Sequence, residues 1–278
     1  MGSKSILDSV MQCFSCCGTK NDVVGADHVL QPLNLYNPRA QTSVEQLIGQ
    51  SEDARLRVYS KLGSLQDFIL TQAAPNGVVG APRWPTASQK FRVINRPNGT
   101  VLIVSDGLSD PFDDLQSDAN VNGYGLEFFI ETPATDVGPD PSELKSSWQF
   151  QLLYTVCSLA AGHGGIRSII DDMQLLSTEA EGVSEAIPPD YKAAVVNRAG
   201  RVGALLGLTE TDPGSQSYVP EKIEGMPLTD VRLVNIKLIT LSELKLITEL
   251  GAEGRKKLAE LFEGQHRLVS SHTREAVL

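Results

Sequence analysis

The sequence predicts an α+β fold, a mixed, largely antiparallel sheet flanked by helices, and three observations carry that expectation. Asn98-Gly99 stands between two short β-rich runs, Phe91 to Asn95 and Thr100 to Ser105, which is the strongest short-range hairpin signal because a tight turn there needs positive φ. Long segments with apolar residues at helical spacing lie on either side of those runs. Strands and helices are grouped unevenly along the chain, the arrangement of helices layered on a largely antiparallel or mixed sheet.

Taken in order, residues 1 to about 40 read as an N-terminal extension, and residues 41–278 as the domain. Within the extension Ile6, Leu7, Val10, Met11 and Phe14 share one helical face, Cys13, Cys16 and Cys17 close that stripe, and 18–37 read as a linker. A helical pattern begins at Thr42 or Ser43, with Thr42 capping toward Glu45, and carries Val44, Leu47, Ile48, Leu56, Val58, Tyr59, Leu62, Leu65, Phe68 and Ile69. Gly49 and Gly63 weaken it enough that two helices are an alternative. A Pro- and Gly-rich loop over 74–85 precedes the hairpin, and Tyr124 to Glu131 is the third strand. Pro141 to Ala160 is a helix stopped by Gly162, burying Leu144, Trp148, Leu152, Tyr154, Val156 and Leu159. The stretch 163–199 gives no readable boundary. Residues 202–208 and 231–239 are strands, Thr240 or Ser242 starts a helix over 243–250, and another spans 254–263.

Composition narrows the function classes. A formal charge of −10 and 41% hydrophobic residues over 278 positions give a chain with a real core and no basic surface for nucleic acid. Arg255-Lys256-Lys257, the lone basic run, falls on a helical pattern and reads as a solvated face. No run of about 18 apolar residues or secretory signal is read, so the expected location is cytoplasmic. Cys13, Cys16, Cys17 and an apolar-segment Cys157 make no disulfide framework.

The stretch VLIVSDGLSDPFDDL, residues 101–115, runs an apolar strand straight into turn residues and acids. Several chemistries come close to a motif there and elsewhere. Asp118, Asn120, Asn122 and Gly123 open like a calcium loop, but Phe129 stands where its closing Glu belongs. Cys13, Cys16, Cys17 and His28 lack the two separated ligand pairs of a structural zinc site. Ala161-Gly-His-Gly-Gly lacks the Lys-Ser/Thr of a phosphate loop and reads as a helix terminator. A hydrolase using His163 with Asp171 or Asp172 is the minor alternative. The expectation is no enzyme, no metal and no cofactor.

Four segments in order resemble a Suppressor of fused domain: SDGLSDPF at 105–112, NGYGLEF at 122–128, LVNIKLITLSEL at 233–244, and GRKKLAEL at 254–261 with HTRE at 272–275. The resemblance covers about residues 43 to 278. It implies a binding module. In animal members such a domain joins a second one to grip an extended peptide of a Hedgehog-pathway transcription factor by strand pairing, and this chain has no room for that second domain. Many bacterial members are single domains suspected of neutralising a toxin, which gives the alternative of an immunity-type inhibitor. The resemblance points to Phe112, after Ser-Asp, and to an acid before Gly-aromatic-Gly as peptide holders; here Ala119 fills the matching place and Asp118 lies one before it.

The reading is therefore a non-catalytic interaction domain that binds a partner protein or extended peptide through a strand edge and an acidic loop. The partner-binding residues expected are Asp106, Ser109, Asp110, Phe112, Asp118, Tyr124 and Glu127. Glu127, on an otherwise apolar strand, needs an Arg or backbone donor if buried, because an unpaired buried charge costs several kcal/mol. Gly2 with Cys13, Cys16 and Cys17 suggests acylation and peripheral attachment at a cytosolic membrane face, although Ile6 departs from the myristoylation pattern. A packed or disordered N-terminal helix is the alternative.

Overall fold

Alternation along four neighbouring strands decides which side of the sheet meets the central helix. The computed structural model describes residues 43–74, 78–112, 120–138, 140–262 and 267–278, which form nine strands and seven helices. The strands are β1 (Ser64–Leu65), β2 (Leu70–Ala73), β3 (Ser88–Asn95), β4 (Thr100–Asp106), β5 (Leu126–Pro133), β6 (Leu176–Ala180), β7 (Val202–Leu206), β8 (Lys222–Ile223) and β9 (Val231–Ile239). The helices are α1 (Val44–Leu62), α2 (Pro141–Ser146), α3 (Trp148–Gly162), α4 (Arg167–Met173), α5 (Pro189–Val195), α6 (Leu241–Leu250) and α7 (Ala252–Leu261). The sheet runs β1-β3-β4-β5-β9-β7-β6, with β2 also on β3 and β8 also on β9. Among the nine described strands β5 and β9 are the pair that runs parallel, over Leu126–Phe129 and Arg232–Asn235. The fold is α+β, as the sequence predicts.

Phe91, Val93, Val101, Ile103, Phe128, Ile130, Val234, Ile236 and Leu238 belong to the core on one face. There α3 brings Trp148, Phe150, Leu152, Leu153, Val156, Cys157 and Ala160 against β4 and β5. The opposite face is unusually ionic. It carries Arg92, Asp106 and Glu131, and α1 with the C-terminal helices covers it. Two helix expectations change. The first helix runs unbroken through Gly49 and stops before Gly63, where an added Cβ would lie 2.3 Å from the Asn95 carbonyl oxygen, so Leu65 and Phe68 belong to β1 and a loop. The 141–160 helix is two helices, because Ser147 leaves helical geometry and its side chain caps the Phe150 N–H. The unread stretch 163–199 holds α4, β6 and α5. Thr42 lies outside the described residues.

The C-terminal segment is part of the sheet. β5 and β9 separate after Phe129 and Asn235, and residues 268–270 enter the opening. The Ser270 N–H donates to the Glu131 carbonyl at 2.6 Å, the Asn235 amide to the Leu268 carbonyl at 3.1 Å, and the Lys237 ammonium to the Val269 carbonyl. Farther on, Arg274 pairs with the buried Glu243 carboxylate and caps the Leu238 carbonyl at 3.0 Å.

Candidate interaction groove and its buried ionic support

The site begins where β4 ends. After the Val104–Phe129 pairing β4 and β5 part, and Glu127 fills the gap. Its carboxylate accepts from the Gly107 N–H at 3.0 Å, the Ser109 N–H at 2.9 Å and the Ser109 hydroxyl at 2.6 Å. The Ser105 hydroxyl donates to the other oxygen and itself accepts from the Phe128 N–H at 2.9 Å. These are the donors that burial of Glu127 demanded.

Arg55 lies at the centre of the cluster. From the buried face of α1 its Nε donates to Asp106 at 2.5 Å, one terminal nitrogen to Asp110 at 2.7 Å and the other to the Ser109 hydroxyl at 3.0 Å, while Glu127 stands 3.8 Å away. Arg92 supplies a second cation to Asp106 at 2.7 Å and also binds Glu52 at 2.6 Å. Burial disfavours the Arg55 cation, but Asp106, Asp110 and Glu127 more than reverse this and raise its pKa. Burial likewise pushes the Asp106 carboxyl up, and Arg55 and Arg92 together outweigh it, holding the group below the usual range. For Asp110 burial wins: with help from the negative Glu127 and Asp106, and against Arg55, its pKa is raised to about 6.

This network holds the loop 107–112 against the turn 121–125. The Tyr124 N–H donates to the Leu108 carbonyl at 2.9 Å, and the Asn122 amide donates to the Ser109 carbonyl at 3.1 Å and to the Ser51 hydroxyl at 2.9 Å. Gly123 makes this approach feasible: its φ is +47°, and a Cβ would fall 2.3 Å from the Leu108 carbonyl oxygen. Outside the seam opens a groove of about 580 Å³ lined by Arg83, Phe112, Val121, Tyr124, Gly162 and Gly164, among others. The Phe112 and Tyr124 rings meet edge to face at 5.2 Å, and the Arg83 guanidinium lies 4.5 Å from the Phe112 ring centre. The Tyr124 hydroxyl donates to the Arg83 carbonyl.

The structure divides the seven expected partner-binding residues. Phe112 and Tyr124 line the groove. Asp106, Ser109 and Glu127 are 0% exposed and Asp110 2%, so these four do not present themselves to a partner, and the acidic surface expected there is an internal ionic network. The reason is Arg55, a cation set within the apolar period of α1 beside Ala54, Val58, Tyr59 and Leu62, where a charged residue signals a buried counter-ion. Arg83 was also missed, since an isolated loop position gives no periodic signal, and Asn122 was read only as part of a calcium-loop opening and of the family-like segment. Asp118 and the lipidation candidates Gly2, Cys13, Cys16 and Cys17 lie outside the described residues. Asn122 is structural: its side-chain oxygen accepts from the Leu228 and Thr229 N–H groups at 2.9 and 3.0 Å.

Elsewhere, His163 is exposed at the C-cap of α3. Asp171 is engaged by Arg167 at 2.6 Å and Arg232 at 3.1 Å; burial raises its pKa, and the two guanidinium groups outweigh that and lower it. Such a carboxylate is a weak base for the hydrolase alternative. Burial, with Glu127 adding to it, pushes the Cys157 thiol well above its ordinary value, so it is a poor nucleophile. Lys256 and Lys257 are exposed on α7, the solvated face expected for the basic run. Among the described residues no helix is long and apolar enough to cross a membrane, and no group of three or more His, Cys, Asp or Glu side chains is placed to hold a metal ion. No protein-family model matches the sequence, and no curated protein matches it.

Proposed function

We propose that residues 43–278 form a non-catalytic protein-interaction domain of the Suppressor of fused type, which takes an extended segment of a partner protein in the groove beside Phe112 and Tyr124. The observation that carries this is the build of that groove. Two interlocked aromatic rings and a guanidinium provide one wall, while Gly80, Ala81, Gly162 and Gly164 let another backbone come close. The rings are held in advance by the Arg55 network beneath them, which reduces the ordering cost of binding. Val78 and the fully exposed Val79 directly precede the lining residue Gly80 in the chain and add exposed apolar side chains there.

The test is selection of phage-displayed random peptides on the full chain, followed by binding to Gly162→Trp and Lys256→Ala. Gly162 lines the groove, and among the described residues a Cβ there would meet Pro82 at 3.9 Å, an ordinary contact, so the position has room for a side chain to start into the groove. Selected peptides should lose about tenfold or more in affinity on G162W, roughly the value of one blocked anchor, and keep it on K256A. Equal binding to both variants, or no peptide selected, would overturn the proposal.

A further inference from the structure

Three carboxylates converge on Arg55, and their other partners are unequal. Asp106 has Arg92 as a second cation, and Glu127 has two backbone N–H groups and two hydroxyls. Among the described residues Asp110 has one side-chain hydrogen-bond partner, the Arg55 guanidinium that it shares. It therefore stands where negative charge is least compensated. Its charged surroundings among the described residues are Arg55 from α1, Asp106 from β4 and Glu127 from β5. Behind these lie Glu52 and Tyr59 of α1 and Lys90 and Arg92 of β3, Lys90 being bound to Glu52 at 2.7 Å. Asp110 also sits two residues before Phe112, and its loop is stitched to Tyr124 through Leu108.

We propose that Asp110 is a pH-sensitive catch on the aromatic wall of the groove: neutral, it lets the loop 107–112 close fully on the turn 121–125, and ionised, it drives that loop toward opening. The burial-raised pKa, about 6, agrees with this, because a loop opening that exposes the carboxyl restores an ordinary value of 3.8 and releases the proton. Opening is then favoured as pH rises through the interval between the two values. The inference depends on the groove reading only for its consequence to binding, and its test needs no peptide.

Amide hydrogen exchange of 108–112 and 123–125 in the full chain, corrected for the intrinsic pH dependence of exchange, provides that test. The opening equilibrium should rise about tenfold or more between pH 4.5 and 7.5, with about a hundredfold as the limit set by two pKa units. Asp110→Asn should remove the step and stay as protected at every pH as the wild type is at pH 4.5. If D110N is instead loosened at every pH, the ionised pair is what holds the loop and the proposal is overturned. If the variant does not fold, the carboxyl ¹³C titration of Asp110 in the wild type decides: a midpoint near 6 supports the catch, and one at or below about 4 overturns it.

Discussion

Arg55 makes the difference between a loop of solvated acids and a rigid wall. A guanidinium presents several donors in a fixed plane, and here two nitrogens go to two carboxylates while the third meets the Ser109 hydroxyl. Removing it strands buried charge, so Arg55→Leu should lower stability by about 3–5 kcal/mol in urea unfolding. Most of this cluster was hidden in the sequence: the acids were conspicuous and read as surface, while their counter-ion lay about 50 positions upstream in a helix. Glu127 was the exception, since an acid in an apolar strand announces its own need for donors. A second residue sets the pH response on the alkaline side. Burial, with Arg274 adding to it and Glu243 and Glu131 opposing, lowers Lys237 to about 7. The unfolded chain, at an ordinary 10.5, binds the extra proton between those values, so stability rises with pH across that window. Urea unfolding at pH 7, 8.5 and 9.5 should show the rise in the wild type and a flatter profile in Lys237→Met.

Elements were legible where their signals were local. The Asn-Gly turn fixed the β3–β4 hairpin, and Thr240 with Glu243 marked the start of α6, where the Thr240 side chain accepts from the Glu243 N–H and the Glu243 carboxylate accepts from the Thr240 N–H. Thr240→Ala should cost about 1 kcal/mol, read as a lower urea midpoint with an unchanged slope. The stretch 163–199 was illegible for physical reasons. α4 and α5 have seven residues each, too few to display a 3.6-residue period, and β6 is an edge strand whose half-exposed Leu176, Ser177, Thr178 and Glu179 lack alternation. The split at Ser147 escaped notice because apolar residues continue on both sides of it.

At the scale of the molecule, the sheet is completed by the chain's last described segment. Residues 268–270 occupy the opening between β5 and β9, and Arg274 joins that segment to α6 through Glu243. No pattern in the sequence marks the insertion of a three-residue segment between two strands, because pairing between distant segments leaves no periodic trace. Deleting residues 267–278 exposes the Asn235, Lys237 and Glu243 side chains together, and should abolish a single cooperative unfolding transition in circular dichroism. The same sheet places the groove at the end of β4 and the start of β5, on a support that does not depend on any partner. Chemical-shift mapping of a selected peptide on the isotope-labelled full chain tests this placement most directly. The account predicts perturbations concentrated at 80–83, Phe112, 121–124 and 161–164; perturbations confined to the β6 edge, with these residues unmoved, would contradict it.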